Sequence, residues 1–461
     1  MKEHIYLYHT NDLHSYFDHW PQVATILKEK RAKREKREAK KEHVFTIDIG
    51  DHMDRVHPIT EATMGKANID LLNDLNYDFV TLGNNEGITL SYDYLYHLYD
   101  DAQFKVVCAN LKCMKDESPS WLTCHEIREV NPQLKIGFFG LTAPFNPYYH
   151  ELGWHVNDPI DTIKEELKEW SESVDIIVLL SHLGMYDDEE IAQQFPEIDV
   201  IIGGHTHHLF REGEVVNQTL LAACGKHCSH VGEIELVWDY EQNKLVSKHA
   251  QTFEVEDYPK DLLTKQNIAQ LMEDANFILN KPVAHLDERL SISWFRDTKL
   301  MDEFTNELQE WTKADCAILN AGLLIDELAE GNVSYGDIHR ICPHPINAVV
   351  VTLTGQELKM VLERSRAKEF IELKLKGFGF RGELIGKMAT SQLDIRWKDN
   401  KVVSLTLANK QVKDDSLYKV ATGDLFTFGN LLPEIAKAKE RKLLMPEFIR
   451  DILLHTVMRI S

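Results

Sequence analysis

The stretch Ile201-Ile202-Gly203-Gly204-His205-Thr206-His207-His208 sets three imidazoles directly beyond an apolar run. Buried aliphatic residues make the run a strand, and the two glycines let the backbone turn tightly. His205 and His207 then face a common point past the strand end. Such a pair calls for a cation or a buried carboxylate. Candidate partners recur upstream, each after another apolar run. They are Asp12 and His14 in Thr10-Asn11-Asp12-Leu13-His14, Asp51 in Gly50-Asp51-His52-Met53-Asp54, Asn84 in Gly83-Asn84-Asn85-Glu86-Gly87, and His182 in Ser181-His182-Leu183-Gly184. Mixed imidazole and oxygen donors suit zinc, manganese or iron more than calcium. Seven donors are more than one catalytic zinc takes from protein, whereas two divalent ions sharing one carboxylate would use them all. Two cations so placed acidify a shared water to hydroxide and clamp phosphoryl oxygens during in-line attack.

The elements that must position these residues are apolar runs at 4–9, 44–49, 79–82, 135–139, 175–180 and 198–202, separated by helical stretches. That alternation predicts α/β layering around buried sheets, with ligands collected at the carboxyl ends of the strands. Past the histidines the pattern turns to β, at 219–223, 232–238 and 245–255, and a helix is expected over 258–279. At 461 residues the chain exceeds one ordinary core, so roughly 200 residues per domain is expected. The expected boundary is the segment 256–285, a linker helix or hinge between residues 1–255 and 286–461. The second part carries a helix at 301–311, strands at 317–319 and 348–353, and a helix opened by Thr354 and Glu357 at capping-box spacing.

Lysine and arginine number 51 against 74 aspartate and glutamate, and the net charge of −23 argues against a nucleic-acid polymer or an anionic membrane as partner. The basic run LKEKRAKREKREAKKEH is interleaved with Glu29, Glu35, Glu38 and Glu42 and reads as a solvated helix. No stretch has the length of a membrane span, and the N-terminus has no apolar signal region. Seven scattered cysteines fit a reducing compartment, so a cytoplasmic location is expected. The pair in Cys224-Gly225-Lys226-His227-Cys228 lacks a second ligand pair and reads as a structural strand and turn.

The ordered motifs DLH, GD, GNNE, SHLG and GHTHH resemble those of the calcineurin-like metallophosphoesterases, in particular the 5′-nucleotidase branch. The later segment NVSYGDIHRICPHPINAVVVTLTGQELKMVLE is similar to that branch's C-terminal substrate domain. The resemblance implies an α/β fold, with an N-terminal αββα sandwich and a smaller α/β (α+β) C-terminal domain, and an active site in the cleft between them. It implies that Asp12, His14 and His207 bind one metal, that Asn84, His182 and His205 bind a second, and that Asp51 bridges them. The implied partner is a phosphorylated small molecule, a nucleotide above all, hydrolysed through a metal-bound hydroxide.

The chain departs from the family pattern next to the metals. Asn85 stands where the family has a catalytic histidine and Ile88 where it has that histidine's aspartate. An amide donates a hydrogen bond to a phosphoryl oxygen but relays no proton near neutral pH. With Asp51 and Asn85 as catalytic candidates, His52, His57, Glu86 and His208 are the nearby residues that could substitute for the imidazole. In the substrate half, Asn320 opens a segment in which Ile325 replaces the family's arginine, and Asn347 ends Pro343-His344-Pro345-Ile346-Asn347. Phe426 or Phe428 is expected to stack on a base. Arg296, Phe378, Phe380 and Arg381 fall in stretches suited to lining a cleft, the last three in the glycine-rich run 377–382. Two other functions are compatible with these departures: a phosphodiesterase acting on a 2′,3′-cyclic nucleotide or a dinucleotide, and a non-catalytic metal-dependent binding protein.

Overall fold

A computed structural model describes residues 2–35 and 42–461. The chain divides into two compact units, residues 1–275 and 276–461, and the helix Leu262–Leu279 carries the chain from one to the other.

The first unit is built on two stacked sheets. The strand Lys2–Thr10 pairs in parallel with Glu42–Asp48, which pairs in parallel with Phe79–Val80. The hairpin His230–Asp239 and Lys244–Glu254 returns to the other edge of this seven-stranded sheet. In the six-stranded sheet, Leu134–Thr142, Ile176–His182, Val200–Gly203 and Thr219–Ala222 run parallel. The two sheets bury their facing residues against each other, among them Ile5, Leu7, Ile47, Phe79, Phe138, Val178, Ile202 and Leu236. Phe138 stacks on Phe79 with ring centroids 4.3 Å apart, so aromatic area from both sheets closes the centre of the sandwich. Alternate residues of the six-stranded sheet, such as Phe139, Leu179 and Ile201, bury against Ile163, Leu167 and Ile191 of the helices Pro159–Trp170 and Met185–Gln194. The apolar runs read as strands are therefore continuous because both faces are covered. This gives the expected α/β sandwich.

The basic helix differs from its expectation in one respect. It begins at Trp20, and its described part ends at Glu35; residues 36–41, including Glu38, lie outside the described residues. Two of its basic residues bend inward instead of facing water. Arg31 Nη1 donates to Leu75 O at 2.8 Å, and the Arg34 guanidinium lies 3.5 Å over the Tyr6 ring.

The second unit centres on a five-stranded mixed sheet in the order Met388–Ser391, Cys316–Asn320, Leu417–Gly423, Asn347–Thr354, Arg441–Phe448. The helices Lys299–Thr312, Gly355–Ser365 and Ile449–Ile460 supply Phe304, Leu308, Leu358, Val361, Ile452 and Leu453 to its core. Thr354 and Glu357 form the capping box read from their spacing, Glu357 N donating to Thr354 Oγ1 at 3.2 Å and Thr354 N to Glu357 Oε2 at 2.8 Å.

Candidate metal centre

The donors expected from the sequence converge at the carboxyl ends of five strands in the first unit. Asp12 and His14 follow Lys2–Thr10, and Asp51 follows Glu42–Asp48. Asn84 opens the helix Asn84–Thr89, His182 closes its own strand, and His205 and His207 follow Val200–Gly203. The turns that aim them are tight. Asp12, His14, Asp51, His205 and His207 all have left-handed backbone, with φ between 49° and 70°. Each such residue costs on the order of 1 kcal/mol, and the strain persists because surrounding hydrogen bonds over-determine the loops. Glycine is required behind Asp51, since a Cβ on Gly83 would lie 2.1 Å from Asp51 Oδ1.

Two triads of donor atoms form, Asp12 with His14 and His207, and Asp51 with His182 and His205. In the first, His14 Nε2 lies 3.0 Å from His207 Nε2 and 3.7 Å from Asp12 Oδ1. That nitrogen spacing is close to the roughly 3.3 Å of two ligands each about 2 Å from one ion. Asp51 faces both triads. Its Oδ1 is 3.4 Å from His182 Nε2, and its Oδ2 is 3.8 Å from His14 Nε2. Asp12, Asp51 and His182 are buried, at 0 %, 2 % and 0 % exposure.

Several atoms are arranged as donors to a cation. His182 Nδ1 donates to Ile49 O at 2.6 Å, which leaves Nε2 directed at the cluster, 3.4 Å from Asp51 Oδ1. Asn84 Oδ1 is buried without a hydrogen-bond partner. Backbone N–H groups hold the carboxylates, His205 N donating to both oxygens of Asp12 (3.1 and 3.0 Å) and Asn85 N to Asp51 Oδ1 at 2.8 Å. This donor set fits two divalent cations, one of which would also satisfy Asn84 Oδ1, an atom that is costly to bury unpaired.

The electrostatics point the same way. Burial pushes the Asp51 carboxyl up, but the neighbouring His182 and His14 outweigh it and hold it well below the usual carboxylate range. Burial pushes His182 down, yet Asp51 and Asp12 raise it to about 10. His205 is lowered to about 4, by burial and by the His182 charge. Asp51 and His182 thus favour each other's charged forms.

The substitutes for the imidazole at position 85 fall into other tasks. Glu86 is an anchor for two loops, accepting from Asp51 N, Met53 N and Gly83 N at 2.9, 3.0 and 2.9 Å. His52 is buried against Trp20, His57 accepts from Ile59 N at the start of a helix, and His208 Nδ1 pairs with Thr206 Oγ1 at 2.9 Å. Asn85 itself is tied down, with Nδ2 donating to Met53 O at 3.0 Å and lying 3.0 Å from His14 Nδ1. It touches a candidate ligand instead of pointing away from it. One residue was missed, His227, whose ring lies 6.1 Å from that of His14. Its motif draws attention to a cysteine pair instead, and those cysteines are free and buried.

In the second unit the expected substrate residues separate. Phe426 is fully buried, with its ring 6.3 Å from Phe370, because the short 3-10 turn Asp424–Thr427 directs it into the core. It offers no face to a ligand, and the alternative, Phe428, stacks on the exposed Phe378 at 5.6 Å and 11°. Phe380 is also buried, stacked on His344 at 5.2 Å. Asn320 and Asn347 are buried and serve the backbone, donating to Ile385 O at 3.0 Å and Glu447 O at 2.9 Å. Arg381 and Arg296 are exposed.

Comparison with known proteins gives a consistent picture. Residues 5–209 match the family model of the calcineurin-like phosphoesterases, and residues 282–430 match that of the 5′-nucleotidase C-terminal domain. The chain is 41% identical over 459 residues to the uncharacterized metallophosphoesterase YunD of Bacillus subtilis (strain 168), covering 98% of this chain and 99% of that one. It is 26% identical over 406 residues to the trifunctional nucleotide phosphoesterase YfkN of the same organism, covering 77% of this chain and 27% of that larger protein. Among solved structures, a putative 5′-nucleotidase from Staphylococcus aureus has the same fold, with a TM-score of 0.69, 19% identity and coverage of 100% of this chain and 98% of that one.

Proposed function

The chain belongs to the calcineurin-like metallophosphoesterases of the 5′-nucleotidase type, which are metal-dependent phosphoester hydrolases, and from that membership we propose that it hydrolyses a nucleotide monoester with two divalent ions of the zinc, manganese or iron kind. The observation that carries the reading is the Asp51 carboxylate, whose two oxygens face different donor triads. Asp12, His14 and His207 would hold one ion, Asn84, His182 and His205 the other, and Asp51 would serve both. When bound, the ions supply Lewis acidity toward water and toward phosphoryl oxygens. The chain's own residues fix the donors. Ile49 O sets the His182 tautomer, and the backbone N–H groups of His205 and Asn85 hold the carboxylates in place. In the second unit, the stacked pair Phe378 and Phe428 offers an aromatic face to a base, worth about 1 kcal/mol. The seven free cysteines support a cytoplasmic location, and no described helix is long and apolar enough to cross a membrane.

The test is turnover by the manganese-loaded protein on nucleoside 5′-monophosphates, 2′,3′-cyclic nucleotides and simple aryl phosphates. Release of phosphate from the monophosphates is expected, and no turnover on any monoester would overturn the reading. The Asn85 amide, bound to Met53 O, favours a diesterase as the second reading, because the two ester classes differ in how their leaving groups are protonated. Faster hydrolysis of the cyclic nucleotide than of the monophosphate would establish it.

A further inference from the structure

We propose that His227 is a substrate-contacting residue that donates a hydrogen bond from its imidazole N–H to a phosphoryl oxygen, filling the place left without an imidazole at Asn85. The inference rests on the phosphoesterase reading above, but its evidence lies outside the donor set. Residues 224–228 form a loop sewn to the loop that carries Asp12 and His14. Asn11 Nδ2 donates to Gly225 O at 2.6 Å, Cys224 N to Asn11 Oδ1 at 2.9 Å, and His227 N to Asp12 O at 2.7 Å. His19 Nδ1 completes the set by donating to His227 O at 2.8 Å. Both His227 and Cys228 are held at left-handed φ, 56° and 45°, a conformation that persists only under such constraint.

The ring is positioned as firmly as the backbone. Tyr16 stacks on one face at 4.9 Å and 21°, and the edge of the ring system meets His14 at 6.1 Å and 86°. His227 is half-buried, whereas Tyr16 is 42% exposed and forms the outer wall. Thus one imidazole outside both triads is locked beside the first of them, its backbone bonded and one ring face stacked, with no hydrogen bond to its ring nitrogens among the described residues. A donor held this firmly beside the candidate metal donors would need little reorganisation to meet a phosphoryl oxygen, which is what makes such donors effective.

The experiment compares wild type, His227→Ala, His227→Gln and Tyr16→Leu, each loaded with manganese and checked for metal stoichiometry and thermal unfolding. Inorganic phosphate binding is measured by calorimetry, and kcat and KM on a phosphate monoester. For His227→Ala, two metals per chain are expected to remain, with phosphate affinity lowered about tenfold and kcat/KM roughly 100-fold. His227→Gln, whose amide still donates, is expected to recover part of the phosphate affinity. Tyr16→Leu, which leaves the imidazole but loosens it, is expected to lower kcat more than it raises KM. Wild-type phosphate affinity and kcat/KM in His227→Ala would overturn the inference, as would loss of a metal, which would make His227 a ligand. Absence of phosphate binding and turnover in wild type itself would instead count against the phosphoesterase reading.

Discussion

At the scale of single residues, a cation centre was legible because each donor directly follows a buried run, so the strand end fixes where its side chain points. What a neighbouring side chain is bonded to is a tertiary property and was not legible. Asn85 follows Asn84 in sequence and invites a catalytic role, yet its amide is held by Met53 O beside the His14 ring. Its expected task is therefore to hold the His14 ring in place by contact, while Asp54 Oδ2, 3.8 Å from His14 Nδ1, is the acceptor that faces that nitrogen when Nε2 ligates. Asn85→Ala is predicted to weaken the affinity for one of two metals by roughly tenfold, in the range usual for loss of a partner behind a ligand. Titration with manganese checks this, and unchanged affinity with reduced kcat would mark Asn85 as a catalytic residue instead. His227 is not legible for a related reason: it is 213 positions from His14, and the loop pairing through Asn11 and Asp12 brings the two together.

At the scale of elements, the parallel strands were readable from their aliphatic continuity, whereas the facing of short turns was not. Phe426 and Phe428 are two positions apart, and the 3-10 turn decides that one enters the core while the other reaches Phe378. The packing of the strand Ile176–His182 on the helix Met185–Gln194 carries a testable pH dependence. Asp188 lies in that helix, 2 % exposed, and accepts a hydrogen bond from Ser181 at the strand end. Burial raises its carboxyl from 3.8 to about 8, against the opposing Ser181 bond. Between those values the folded chain keeps a proton that the unfolded chain releases. The contribution is full below pH 3.8 and is lost as pH rises toward about 8. Stability of the metal-free protein is therefore predicted to fall by up to about 1.4 kcal/mol per pH unit from this group alone. Asp188→Asn should flatten that slope between pH 5 and 8 in chemical denaturation; an unchanged slope would assign the dependence elsewhere.

At the scale of the whole molecule, the sequence indicated two α/β parts, and the chain divides into units of residues 1–275 and 276–461. Substrate residues in the second unit were the least legible, because motif position does not say how a side chain is bonded: the Asn320 and Asn347 amides donate to backbone carbonyls, while Asn320 Oδ1 is left without a hydrogen-bond partner. The first unit alone contains both donor triads, and the folded state binds cations that the unfolded chain cannot gather. Metal is thus predicted to stabilise it by RT ln(1 + [metal]/Kd), about 2.7 kcal/mol at 100 times Kd. The central claim is that Asp51 joins two ions into one centre. Its most direct test is metal content by mass spectrometry after manganese loading, on wild type and Asp51→Ala, with phosphate release measured on the same samples. Two ions per wild-type chain are predicted, with at least one lost and turnover abolished in Asp51→Ala. Two ions retained in Asp51→Ala would contradict the shared centre.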